Sequence, residues 1–143
     1  MAEALQNKSR PRASSPLREA YELTQRVSAL GFDWPHLEGV LTKLEEEIEE
    51  LKEALLLGEK EKAKDELGDI LFVLVNLSRF LKVHPEKALS RTIRKFKTRF
   101  RYVEKRLQSM GKSFEESNLA EMDGLWEEAK ARSKRKARGA KAS

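Results

Sequence analysis

Two acidic pairs carry the clearest chemistry in this chain. Glu47 and Glu50 are three residues apart, as are Glu66 and Asp69. On helices that spacing puts both members of a pair on one side. Glutamates are common on exposed helices, and Glu45 to Glu50, one isoleucine among five glutamates, has an ordinary reading as a solvated charged face. Position argues against that reading for some of them. At 3.6 residues per turn Glu47 falls within about 40° of Leu51, beside an apolar stripe, and Glu50 shares that side, whereas Glu45 and Glu49 point away. Glu66 projects between Val73 and Leu77, and Asp69 lines up with Asn76, on a segment that is apolar nearly all round. Ionised carboxylates there are costly unless a cation or hydrogen bonds offset them. Two such pairs on consecutive antiparallel helices can converge four carboxylates on one point, as in helical-bundle metal sites. The chain has no cysteine and only two histidines, His36 and His84. The ligands are therefore oxygens, and the metal expected is Mg²⁺, with Mn²⁺ as a substitute, rather than zinc.

The elements that must carry these residues read as helices throughout. Ser15-Pro16 has the form of an N-cap and first helical residue, and that helix ends at Gly31. Phe32-Asp-Trp-Pro35 is a turn whose two aromatics are expected to pack. A second helix runs from near Pro35 to Leu57, before Gly58. A third spans about Glu59 to Lys82, a fourth starts at Pro85 and reaches about Met110, and Asn118-Leu-Ala-Glu121 has the spacing of a capping box that opens a fifth. Leu44, Ile48, Leu51 and Leu55 form a seam on the second helix; Ile93, Phe96, Phe100, Val103 and Leu107 do so on the fourth. No strand-length alternation occurs. The fold class expected is all-α, a bundle of about five helices. Because the third helix is apolar on every side between Ile70 and Leu81, one small chain covers it poorly, and a homodimer is expected. His36 and His84, each beside a proline, read as capping or surface residues.

The net charge of +5 is unevenly spread. Residues 1–15 carry +2 and residues 131–143 carry +6, which leaves the body at −3. Residues 1–15 are expected to be a disordered tail, 16–131 the folded domain, and 132–143 a basic disordered tail. That tail suits solubility first, and a weak phosphate-mediated contact with nucleic acid second. The longest apolar run, Ile70 to Val75, is six residues and excludes a membrane span, and the first residues lack a signal-peptide core. A cytoplasmic protein without a membrane partner is the expectation.

The motifs together resemble the MazG family of nucleoside triphosphate pyrophosphohydrolases. The resemblance rests on Gly31-Phe-Asp-Trp-Pro35, on Glu46-Glu-Ile-Glu-Glu50 as E-E-x-x-E and on Glu66-Leu-Gly-Asp69 as E-x-x-D. Asp69 to Arg79 and Lys95-Phe-Lys-Thr-Arg-Phe100 extend it, and it covers roughly residues 17–131. Many family members carry two such domains; this sequence has one and looks most like the C-terminal, catalytic copy. The resemblance implies an all-α dimer that splits nucleoside triphosphates between the α and β phosphates, releasing a monophosphate and pyrophosphate. It also implies Mg²⁺ held by Glu47, Glu50, Glu66 and Asp69. Glu46 or Glu47 then stands as the base or water-orienting group. Lys95 and Arg99, four residues apart, suit phosphate binding, although Arg91, Arg94, Lys97 and Arg101 give the same helix an ordinary basic face. Trp126 suits stacking on a base or packing in the core, and Lys130 a phosphate contact or plain exposure; the resemblance favours the nucleotide role for both. Asn76 suits a substrate sugar, the surroundings of Asp69, or a contact between helices. Two other readings remain: a related phosphohydrolase of narrower specificity (dUTPase-like or acting on phosphoribosyl-ATP), and a non-enzymatic helical nucleic-acid-binding protein.

Overall fold

The computed structural model describes residues 15–142, with side chains through residue 140. It is helical, with no strand among the described residues: α1 Pro16–Ala29, α2 Leu37–Leu56, α3 Lys60–Phe80, α4 Pro85–Ser109 and α5 Leu119–Ala142. The expected disordered tail 1–15 lies outside the described residues except for Ser15. That residue caps α1, its hydroxyl accepting the Arg18 amide at 3.2 Å, with Pro16 at the first helical position. No helix among the described residues is long and apolar enough to cross a membrane.

The first four helices end alike. The residue after the cap takes a left-handed conformation, and the two following amides bond back into the last turn, for example Gly31 to Ser28 and Phe32 to Val27. Gly31, Gly58 and Gly111 supply three of these turns at positive φ. The fourth falls on Lys82, φ 58°, so α3 stops at Phe80, before the proline expected to close it.

The chain divides into two compact units, with the boundary inside α4 after Ala88. In the first unit α2 and α3 form a closely packed antiparallel hairpin across Gly58, and α1 lies against α3. The buried seam of α2 is Val40, Glu47 and Ala54, seven residues apart, rather than the expected Leu44, Ile48, Leu51 and Leu55. Leu44 and Leu51 are half-buried, while Ile48 and Leu55 are exposed. The seam is rotated toward the carboxylate side of the helix, and Glu47 sits in the middle of it. On α3 the buried set is Glu66, Val73, Val75 and Asn76. Trp34 packs as expected: its Cδ1 would lie 2.9 Å from a Cβ on Gly39, so the ring rests where only glycine leaves room. Phe32 does not pack and is 80% exposed. His84 caps α4, Nδ1 accepting the Glu86 amide at 3.1 Å, and its ring lies 4.5 Å from that of Tyr21.

In the second unit Val103 and Leu107 of α4 and Leu125 of α5 form the core, with Met122 and Trp126 packed against it. Phe100 stacks on Phe96 and on Phe114, and Phe96 meets Trp126 at a tilt, yet Ile93 and Phe96 of the expected seam stay exposed. Asn118 caps α5, accepting the Glu121 amide at 2.8 Å. The reciprocal half of the capping box is replaced, because the Glu121 carboxylate takes Ser117 and Lys112 instead. These two partners hold its pKa below the ordinary value. Residues 132–142, expected to be a disordered tail, continue α5 as helix. The segment is Ala, Lys and Arg in the main, all strong helix formers, and its positive charge suits a helix C-terminus.

Candidate metal centre

Glu47 on α2 and Glu66 and Asp69 on α3 converge. One carboxylate oxygen from each lies within 4.8 Å of the other two. The α2–α3 hairpin makes this possible: Glu47 lies in the buried seam of one arm, Glu66 in that of the other, and Asp69 follows one turn later. Glu47 is 5% and Glu66 8% exposed, whereas Asp69 faces solvent and gives the cluster an open side. Glu50 is exposed and outside this tight trio, yet its charge acts on Glu66.

Electrostatics within the cluster are asymmetric. Lys43, one turn before Glu47, places its ammonium 2.8 Å from Glu47 Oε1 and 3.8 Å from Glu46. That ion pair, ahead of the approach of Glu66, holds Glu47 below the ordinary carboxylate range. Glu66 is pushed up to about 7, first by Glu47, then by burial, then by Glu50. A buried carboxyl crowded by two others and lacking its own cation is disfavoured as an anion.

The cluster fits a cation on a second, independent ground. Glu47 Oε2 and Glu66 Oε2 are buried without a hydrogen-bond partner. Buried acceptors in folded proteins are normally satisfied, and leaving one unpaired costs on the order of 1–3 kcal/mol. A divalent cation would satisfy both and remove the repulsion between them. The donor set is entirely carboxylate oxygen, suited to a hard ion.

Asn76, two turns beyond Asp69, has protein partners. Its Oδ1 accepts from Arg79 Nη2 at 2.8 Å and its Nδ2 faces Phe72 O at 3.5 Å. Arg79 in turn grips Asp33 with both terminal nitrogens, at 2.6 and 2.7 Å, while Ser28 donates to Asp33 at 2.7 Å. This network ties the end of α1 and the Trp34 turn to α3. Sequence reasoning passed over it, although Arg79 was visible as a charged break in the apolar stretch and Asp33 as the acid of the turn. Lys43 was also missed; its signal was the i,i+4 spacing to Glu47.

The remaining site candidates belong to the second unit. Lys95 is exposed and Arg99 half-buried, with Arg99 Nε lacking a partner, and both line a cleft of about 300 Å³. Trp126 packs on the core with its ring 5.2 Å from that of Phe96. Lys130 lies 3.8 Å from Glu127. Glu46 is exposed.

Comparison with known proteins places this hairpin in a family. Residues 36–103 match the MazG nucleotide pyrophosphohydrolase domain. These residues belong to the MazG family. The MazG match takes in Glu47, Glu50, Glu66 and Asp69, with Asn76, Lys95 and Arg99, and stops short of Trp126 and Lys130. The chain is 43% identical over 120 residues to the nucleoside triphosphate pyrophosphohydrolase/pyrophosphatase MazG of Thermotoga maritima, covering 81% of this chain and 46% of that protein. It is 35% identical over 124 residues to the nucleoside triphosphate pyrophosphohydrolase of Escherichia coli K12, covering 84% and 46%. Over 72 residues it is 47% identical to the uncharacterized protein YabN of Bacillus subtilis, covering 15% of that protein. The chain thus spans less than half the length of these curated relatives.

Proposed function

We propose that this chain hydrolyses nucleoside triphosphates between the α and β phosphates, giving a nucleoside monophosphate and pyrophosphate, with Mg²⁺ as the cofactor. The observation that carries the reading is the convergence of Glu47, Glu66 and Asp69, with two buried oxygens unpartnered, inside the MazG-matching segment. The names of the Thermotoga and Escherichia relatives support the reaction class.

Glu47, Glu66 and Asp69 would hold the ion, and Glu50 would join them from the next turn of α2. When bound, the ion would offset the negative charge of the triphosphate and polarise a phosphoryl oxygen. Glu46 and Glu47 are the two candidates for drawing a proton from the attacking water. Glu47 is already committed to Lys43 and the trio. Glu46 keeps a solvent-facing carboxylate 3.8 Å from Lys43, and we assign it the water-orienting role. The water oxygen bonds to phosphorus, the α–β bridging oxygen leaves with the pyrophosphate, and the water proton passes to the carboxylate. Lys95, Arg99 and Lys130 are proposed phosphate contacts, Trp126 a base contact and Asn76 a sugar contact. Asn76 reaches that role only by exchanging a protein partner.

A homodimer is part of the proposal. In the isolated chain the hairpin leaves Ile48, Leu55, Leu67, Leu71 and Phe72 exposed, Leu71 by 51%. Apolar exposure on that scale favours association, and a homodimer would cover it.

The test is incubation with the common NTPs and dNTPs, with and without Mg²⁺, scoring monophosphate, pyrophosphate and orthophosphate. Monophosphate with pyrophosphate, lost on chelation and in Glu66→Gln, is the expected result. Orthophosphate with a diphosphate would refute the bond assignment. Turnover of a single substrate in the panel would mark the narrower specificity. Light scattering reads the dimer, and a single-chain mass would refute it.

A further inference from the structure

Charge divides sharply between the two units. From Leu89 onward the sequence carries sixteen Lys and Arg against seven Asp and Glu, a net +9, whereas the portion up to Ala88 carries −4. Much of the excess is concentrated in one place. Arg91, Arg94, Arg101 and Lys105 of α4 and Arg132 and Lys136 of α5 line two clefts of about 300 Å³ each, which share Thr98, Arg99 and Ser133. The ion pairs of this unit use other residues: Arg106 with Glu128, Lys112 with Glu121 and Lys130 with Glu127. None of these six cations has a carboxylate partner among the described residues; Lys95 and Arg99, which line the same clefts, are left to the substrate phosphates proposed above. Arg132 instead lies over the ring of Tyr102 at 4.9 Å. Arg99, at the junction of the clefts, has a buried Nε with no acceptor.

We propose that this α4–α5 face binds the phosphate backbone of a nucleic-acid strand without reading its bases. From Arg91 to Lys105 the helix rises about 21 Å. That length spans several successive phosphates of a strand, more than one nucleotide presents, and the strip offers six cations to meet them. Unpaired cations on such a strip repel one another, and a polyanion relieves the repulsion. Arginine outnumbers lysine four to two in the set, which favours bidentate phosphate contact. The aromatic residue of the clefts, Tyr102, is covered by Arg132, so no stacking platform selects bases there.

The experiment uses the full chain and a fluorescein-labelled 20-nucleotide single strand, read by fluorescence anisotropy between 50 and 200 mM NaCl. Six neutralised phosphates give a log–log salt slope of about −4, a loss of affinity of roughly 300-fold across that range. Arg101→Gln with Arg132→Gln should reduce the slope by about 1.4, and glutamine at all six positions should abolish binding at 50 mM. Far-UV circular dichroism checks that helix content is kept. Nucleotide hydrolysis, measured in parallel, should be unchanged in both variants, so failure of the enzymatic reading is seen separately. The proposal is overturned by absence of binding at 50 mM or by a salt-independent signal. Binding undiminished in the variants would overturn it too, because it would assign the contact to Lys134, Arg135 and Arg138. Two further outcomes refute it: binding to phosphatidylserine vesicles but not the oligonucleotide, and loss of hydrolysis in step with loss of binding.

Discussion

Replacing Asp33 with asparagine tests whether the clamp on Arg79 organises the first unit. Arg79 holds Asp33 by two short bonds, with the two side chains only 13% and 19% exposed. The Arg79 bonds, with help from Ser28 and the Trp34 amide, pull the Asp33 pKa from 3.8 down to about 2. A drop of that size corresponds to about 2 kcal/mol of folding stability. The sign follows from the direction. A carboxylate with a depressed folded pKa stabilises the fold above its unfolded pKa, near 4, and loses that contribution as the pH falls toward 2. The asparagine side chain cannot be ionised, so the variant lacks the contribution at every pH and leaves the Arg79 guanidinium short of its counter-charge. The variant should therefore be less stable by at least about 2 kcal/mol at pH 7, a fall in Tm of roughly 4–8 °C for a chain of this size. The difference from the parent should narrow steadily between pH 4 and pH 2. Urea unfolding followed by circular dichroism at a series of pH values measures it. Parallel stability curves for the two proteins down to pH 2 would refute the reasoning, since they would mean that the pair contributes nothing beyond what water supplies. Urea midpoints for Asp33→Asn and Arg79→Met combined should show strong coupling, because removing both partners leaves no orphaned charge.

Four other perturbations follow from the geometry. Glu66 sits near pKa 7 against an ordinary 4.5, so Glu66→Gln should stabilise the metal-free protein, with the gain growing as the pH rises from about 4.5 through 7; a gain that is flat with pH would contradict the assignment. A divalent ion needs Glu66 ionised, so Mn²⁺ binding at pH 7 should release about half a proton from it, measured by calorimetry in buffers of different ionisation enthalpy, and zero release would place the ion elsewhere. Lys82→Gly should raise stability by about 0.5–1 kcal/mol in thermal unfolding, because Lys82 holds φ 58° at the end of α3; an unchanged or lower Tm would argue against that strain. Gly39→Ala should cost about 1–3 kcal/mol and shift Trp34 fluorescence, because the new Cβ would lie 2.9 Å from Trp34 Cδ1; a neutral substitution would show that the ring moves freely.

The helices were legible in the sequence because their ends are written in residue types. Ser15-Pro16, Gly31, Gly58, Asn118 and Gly111 each stand where a cap or left-handed turn demands them. Lys82 shows the limit of that rule. The turn after α3 is the same as the other three, but a lysine occupies it, so the end was displaced by two residues toward the proline. The helix beyond residue 131 was missed for a different reason. A run of like charge reads as a solvated tail, while the intrinsic preference of Ala, Lys and Arg carries α5 on to Ala142.

The site was legible where burial and charge conflict, and less so where they agree. Glu47 and Glu66 stood out because carboxylates on apolar arcs need a reason, and they are the two that lie buried with an unpartnered oxygen each. The wheel placed them correctly, even though the apolar seam assigned to α2 was rotated. A carboxylate beside the leucines marks the arc adjoining them, and the hairpin turned that arc inward. Asp69 and Glu50 are exposed and follow only from their spacing to the buried pair. Lys43 and Arg79 were hard to find because each agrees with its surroundings. A lysine near glutamates and an arginine near a helix end look like ordinary surface charges, and only the distances to Glu47 and Asp33 single them out. Exposure of Leu67, Leu71 and Phe72 beside the buried Glu66 adds a physical constraint on the centre. If a second copy covers that face, dimerisation lowers the local dielectric around the carboxylates, which raises the cost of leaving them without a cation. Metal affinity and dimer stability are then linked: each should strengthen the other by the same factor.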